Sequence, residues 1–214
     1  LKAVLRRMVS RSAFRALMEF IAVPVYAFWN GRIAFWVLQQ ARIRAMGPSA
    51  IAEFSRQLFA STDRYGHPTK ITALQAIGSA IVRTVDLHPN LALFLLNAQK
   101  YQGHPGQTPM DSSERFKANL SKLDEPDKEF VFRVLIVATI IDGKLGRRER
   151  SLLREVFEEN DRSGDISQIQ TLKRRFAKGE VLADHWMEEI LPDRSTAVPD
   201  HAASNARRDA VPNS

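Results

Sequence analysis

The stretch Phe130-Val131-Phe132-Arg133-Val134-Leu135-Ile136-Val137-Ala138-Thr139-Ile140-Ile141 runs into Asp142-Gly143-Lys144-Leu145-Gly146 and then into the charged segment Arg147 to Phe157. The first part is very apolar from Val131 to Ile141. The last part is amphipathic, with Leu152, Leu153, Val156 and Phe157 on one face. Joined by a Gly-containing turn, they read as a helix–turn–helix with a carboxylate at each edge, Asp142 and Glu149. The offsets of Asp, Gly, Leu and Glu match the second half of a calcium-binding EF-hand loop, in which glycine permits the sharp turn and glutamate supplies the last ligand. Loop positions one and three fall on Ala138 and Ile140, which offer no side-chain oxygen. This segment alone therefore cannot surround calcium with its usual six to eight oxygens.

Outward from this turn, nearly every periodic stretch repeats its apolar residues at spacings of three and four, and no run of period two occurs, so the chain reads as all-α. Residues 1–48 are expected to form a basic, aromatic-rich helical hairpin. Its first helix covers roughly 2–23, Pro24 kinks or ends it, Asn30-Gly31 turns the chain, a second helix runs from Ile33 to about Ala45, and Gly47-Pro48 stops it. Residues 49–191 read as a helical bundle. One face is marked by Ile51, Phe54, Leu58 and Phe59, and another by Ile71, Leu74, Ile77, Ile81 and Val85. His88-Pro89 opens a helix whose Leu91–Leu96 segment is apolar enough for the core. Asp111 with Glu114 has the spacing of a capping box, and Asp124 with Pro126 opens the helix that ends at Asp142. Shorter helices are expected near 166–177 and 180–190. Residues 192–214, rich in Ala, Ser and Pro, read as a disordered tail. An internal echo links residues 80–86 with 136–142, two apolar helices each ending on aspartate, although no glycine follows Asp86.

A chain of 214 residues with 44% hydrophobic content is long enough for one sizeable core or two small ones. The absence of cysteine excludes disulfides, thiolate metal sites and cysteine nucleophiles, and suits a reducing cytoplasm. A first residue of Leu1 reads as a fragment or a trimmed start. Residues 1–48 carry eight basic side chains against the single acid Glu19, which accounts for the whole net charge of +7; the other 166 residues hold 23 basic and 23 acidic groups. Arg7, Arg11, Arg15 and Glu19 fall on one helical stripe.

The segment 20–38, with Phe20, Trp29, Phe35 and Trp36 among aliphatics and arginines on both flanks, suits an element lying on anionic lipid. Tryptophan prefers headgroup level, and each basic group near the surface contributes about 1 kcal/mol. A full membrane span is not expected, because the apolar run 20–29 has half of the ~20 residues required and Asn30-Gly31-Arg32 interrupts it. Glu19 and Pro24 also argue against a cleaved signal peptide. Arg7, Arg11, Arg15, Trp29, Arg32 and Trp36 are thus the expected contact surface for membrane or a protein partner. Two alternatives stay open: the hairpin packs on the bundle with its arginines solvated, or the arginines hold a nucleic-acid backbone.

Three of the five histidines, His67, His88 and His104, precede proline and read as helix punctuation. The loop Asp161-Arg162-Ser163-Gly164-Asp165 has the one-three-five spacing of an EF-hand's first half but no closing glutamate, and reads as a solvated turn. No HExxH, GxSxG, phosphate-loop or GxGxxG motif is present, so no enzyme activity and no small-molecule substrate are expected.

The run 130–157 resembles the signature of TerB-like domains, in which an apolar helix ends in Ala-Asp-Gly, a hydrophobic residue follows two positions on, and a glutamate opens the next helix. Here Ile141 stands for the usual alanine and Gly146 for the usual Ser or Asp cap. The resemblance covers about 30 residues well and the region from roughly 50 to 190 more loosely. It implies a bacterial all-α domain of tellurite resistance and stress response, associated with membrane complexes, whose acids bind a divalent cation. Carried over, Asp142 and Glu149 would be metal ligands, with calcium the expected cation. The same residues also allow a metal-free adaptor, with Glu149 capping its own helix at the Gly146 N–H and Asp142 shaping the turn. The expected location is cytoplasmic, peripheral on the inner face of the membrane.

Overall fold

The structure is a computed structural model that describes residues 2–60, 62–84, 87–102, 109–110, 112–162 and 165–180, giving only the backbone for 2–22. The described residues form seven α-helices and a short 3-10 turn at Thr62–Arg64, with no strand among them. In chain order the helices are α1 (Lys2–Phe59), α2 (His67–Arg83), α3 (Pro89–Gln102), α4 (Ser113–Leu120), α5 (Glu125–Ile140), α6 (Arg147–Glu158) and α7 (Ile166–Lys178). The fold is all-α, as the periodicity requires.

The apolar stretch is α5, at the centre. Phe130, Val131, Phe132 and Val134 to Ile140 are all buried, so the helix meets solvent only in its first turns and at Arg133. Asp124 caps it, accepting from the Asp127 N–H at 3.1 Å, and Pro126 occupies the first turn, where a missing N–H costs nothing. α2 lies along α5 with its small-residue face inward: Ala73, Ala76, Gly78 and Ala80 are buried. A Cβ at Gly78 would run into the Met110 carbonyl. Leu91, Phe94 and Ala98 of α3 face α1, whereas Leu96 is exposed, so the 91–96 segment is only partly core. α6 buries the expected Leu152, Leu153, Val156 and Phe157, and α7 closes the bundle with Ile169, Leu172 and Phe176.

Two sequence expectations are corrected. The cap of α4 is Ser112, which accepts from the Arg115 N–H at 3.2 Å; Asp111 lies outside the described residues. The N-terminal hairpin is replaced by one continuous helix of 58 residues, about 87 Å at 1.5 Å per residue, running through Pro24, Asn30-Gly31 and Pro48. The physical reason is local at Gly47-Pro48. Ile43, Ile51 and Phe54 are buried on one stripe, and that stripe stays aligned only if the helix continues between them. Gly47 serves packing there, since a Cβ would strike the Asn90 side chain. At Asn30-Gly31 the opposing signal is weak, because glycine in a helix costs only about 1 kcal/mol relative to alanine.

The alternative in which segment 20–38 packs on the bundle is not seen among the described residues. Val23, Val25, Tyr26, Phe28, Trp29, Ile33, Phe35, Trp36, Val37 and Leu38 are 46–70% exposed. No helix among the described residues is long and apolar enough to cross a membrane. The expected 180–190 helix, the 192–214 tail, His104 and Asp86 fall outside the described residues.

Candidate functional site

α5 ends where Ile141 donates its N–H to Val137, and the chain then turns through Gly143, whose N–H reaches the Ile140 carbonyl at 2.9 Å. Gly143 has φ +71°, a left-handed conformation that a side chain resists. It is also a contact point, because a Cβ there would collide with Ile43 of α1. Asn90, at the start of α3, fastens the same junction: its Nδ2 donates to the Ile141 carbonyl at 2.8 Å and to the Ile43 carbonyl at 3.4 Å. The turn is thus held between α1 and α3.

Both carboxylates are buried, with Asp142 4% and Glu149 3% exposed. Asp142 Oδ1 accepts from the Lys144 N–H at 2.7 Å, a side-chain turn that shapes the loop. Glu149 Oε2 accepts from the Gly146 N–H at 2.6 Å, half of a capping box; the glycine has no side chain to return the bond. Burial pushes the Asp142 carboxyl up to about 6, against the pull of the Lys144 N–H and of the Lys144 and Lys173 charges. Burial likewise pushes Glu149 up to about 7; the Gly146 N–H opposes the rise, the Asp142 charge adds to it, and Lys173 and Lys144 counter it. Glu149 therefore senses the charge on Asp142.

They line an open cleft of about 770 Å³. One wall is α1, through Trp36, Val37, Gln40, Ala41 and Arg44. The second is the α2–α3 connection, with Arg83, Thr84, Leu87, His88 and Pro89, and the third is the turn with the start of α6, including Lys144, Arg147 and Arg148. His88 is buried, and its Nδ1 accepts from the Asn90 N–H at 3.2 Å, which leaves the ring proton on Nε2. Nε2 has no partner. Burial, with the charges of Arg44 and Lys144 added, holds the His88 pKa below its ordinary value.

Of the expected site residues, Asp142, Glu149 and Trp36 come together in this cleft, while Trp29 stands exposed further along α1. Arg32 also lies in the exposed part of α1, and the side chains of Arg7, Arg11 and Arg15 fall outside the described residues. No group of three metal-capable side chains occurs among the described residues, so two carboxylates are the protein ligands available here. In the second acidic loop, Asp165 caps α7 by accepting from the Ser167 N–H at 2.7 Å; Ser163 and Gly164 are outside the described residues. Its neighbour Arg162 turns inward to Glu129 and stacks 4.9 Å from the Phe132 ring centre.

Sequence reasoning missed the basic wall of the cleft. His67-Pro68 and His88-Pro89 do open α2 and α3 as punctuation, but His88 also faces ligand space. A signal was present in Arg147-Arg148, two cations at the positive end of a helix, where the dipole disfavours each by roughly 0.3–1 kcal/mol. Compared with protein-family models, with curated proteins and with solved structures, the chain matches none. The TerB-like resemblance accordingly rests on the residues of the 130–157 helix pair.

Proposed function

We propose that the protein is a non-enzymatic adaptor of TerB-like type that attaches peripherally to an anionic membrane through α1. The observation that carries this reading is the run of ten large apolar side chains between Val23 and Leu38, all exposed on a helix that continues directly into the bundle. An apolar patch of this extent is an interaction surface. Its tryptophans and tyrosine suit the headgroup layer, and Arg32, Arg42 and Arg44 on the same helix suit an anionic one. A protein partner with an apolar groove is the competing occupant. A role in tellurite resistance or stress response, and a cytoplasmic face, are carried by the family resemblance and by the absence of cysteine.

Vesicle flotation tests the reading. The full chain should float with vesicles containing phosphatidylglycerol, and Phe28→Glu with Trp29→Glu should abolish flotation. A parent protein left at the bottom of the gradient would sink the membrane assignment and leave the protein partner.

A divalent cation, calcium first, at Asp142 and Glu149 is the second reading. It is supported by two buried carboxylates, Glu149 sensing the Asp142 charge and each giving one oxygen to a backbone N–H. Working against it are the cations Arg44, Lys144, Arg147 and Arg148 around the same cleft. Calorimetric titration of calcium into the parent and an Asp142→Ala variant decides it: binding heat lost in the variant supports the site, and a parent without heat ends it.

A further inference from the structure

We propose that the cleft between α1, the α2–α3 connection and the N-terminus of α6 is an anion site that takes a phosphate group borne on an apolar chain. Four observations converge. First, Arg44, Lys144, Arg147 and Arg148 line the cleft, and none is in an ion pair with a carboxylate among the described residues. Among the described residues the acids lining the cleft, Asp142 and Glu149, already accept backbone N–H groups, and the described cations outnumber them.

Second, α6 has a glycine cap. Where α4, α5 and α7 each give a side-chain oxygen from Ser112, Asp124 or Asp165 to their first turn, Gly146 gives none. The first N–H groups of α6 therefore lack a side-chain acceptor at the end where the dipole favours negative charge. The two arginines at that end oppose the dipole, and a bound anion would offset both.

Third, and independently, His88 is a built-in donor without an acceptor. It is 7% exposed, lines the cleft, holds its proton on Nε2 because Nδ1 is engaged by Asn90, and has no partner for that proton. A buried N–H left unpaired costs about 1–3 kcal/mol; an anion in the cleft would recover it once a turn of the ring brings the buried Nε2 to the cleft surface.

Fourth, the α1 wall is apolar at Trp36 and Val37, and Leu87 faces the same space. Tetrahedral phosphate, with several acceptor oxygens, matches a donor set made of backbone N–H groups, an imidazole N–H and guanidinium forks better than a planar carboxylate does. The apolar wall then accommodates what the phosphate carries. A lipid phosphomonoester headgroup and free inorganic phosphate share this chemistry; the lipid source rests on the membrane reading above, while the anion site does not.

The full-length chain is titrated with inorganic phosphate by calorimetry, and separately floated with phosphatidylcholine vesicles with and without phosphatidic acid. The test variant is R147Q/R148Q, whose side chains are exposed on the first turn of α6, and the control is R115Q/R174Q, an equal loss of charge elsewhere on the surface. The expected result is saturable binding of phosphate or of phosphatidic-acid vesicles that weakens at least tenfold in R147Q/R148Q and stays within twofold in the control. Phosphate binding without vesicle binding supports the site and assigns it to the free anion, with the membrane reading lost. Equal flotation and equal phosphate affinity of parent and R147Q/R148Q keep the membrane reading and overturn the site. Absence of both binding events, equal weakening in the control, or displacement of phosphate by duplex DNA with the same arginine dependence also overturns it.

Discussion

The two ends of the described part of α1 have similar composition and opposite fates. Between Val23 and Leu38 the large apolar side chains stand in solvent, whereas Ile43, Ile51, Phe54 and Phe59 of the same helix are buried to within 4%. Hydrophobicity does not separate them; spacing does. The buried residues fall on one broad side of the helix that meets α3, α5 and α7, while the exposed ones surround the helix, so no single packing surface could cover them. A stripe is a fold instruction, and a sleeve of apolar residues is a docking instruction.

The strongest way to sharpen this contrast is truncation in each half. Phe54→Ala removes a ring 6.0 Å from Phe176 and should cost about 3–5 kcal/mol in chemical denaturation. Equal stability of parent and variant would break the distinction. Next is Gly143→Ala, which places a Cβ at φ +71° against Ile43 and should cost about 1–3 kcal/mol. Trimming the opposing residue with Ile43→Val should recover part of that loss, and strictly additive effects would mean that the helix and the turn are not in contact.

The carboxylates on that turn give a pH signature. Their folded pKa values, about 6 and about 7, lie above the ordinary 3.8 and 4.5, so the folded protein holds more protons than the unfolded chain in between. The contribution of these two carboxyls to stability is therefore fully present below the ordinary values, falls as pH rises through the window, and is lost above about 7. Glu149→Gln keeps an acceptor for Gly146 and removes one titration, so its melting temperature should fall less over that window. Subtracting parent from variant also cancels Glu53, Glu155 and Asp165, whose carboxyls lie below the usual range. Parallel curves would contradict the assignment. The smallest effect belongs to the exposed half: Phe35→Ala should change stability by no more than about 0.5 kcal/mol. A larger loss would mean that this half is packed after all.

The bundle was legible because α5, α6 and α7 announce themselves by periodicity and caps: Asp124, Pro126 and the Leu152–Phe157 face all fall where expected. Both structural roles weighed for the DG turn, the Glu149 bond to Gly146 and the Asp142 bond shaping the loop, are present. The hairpin expectation took Pro24 and Asn30-Gly31 as a turn and Gly47-Pro48 as a stop, yet the helix runs through all three, and at Gly47 tertiary contact with Asn90 makes the glycine a packing position. The cleft was illegible for a related reason. Its groups come from residues 36–44, 83–89 and 142–149, and only the folded chain brings a histidine after α2 beside a helix start some sixty residues later.

Asn90 joins the exposed and buried worlds mechanically. Its amide donates to carbonyls on both α1 and the turn, so neither can shift alone without stranding a buried donor at a cost of about 1–3 kcal/mol. A load applied to the outer part of α1 would consequently arrive at the turn as strain rather than dissipate as slack. In that sense Asn90 is the rivet through which the helix could act as a handle on the cleft.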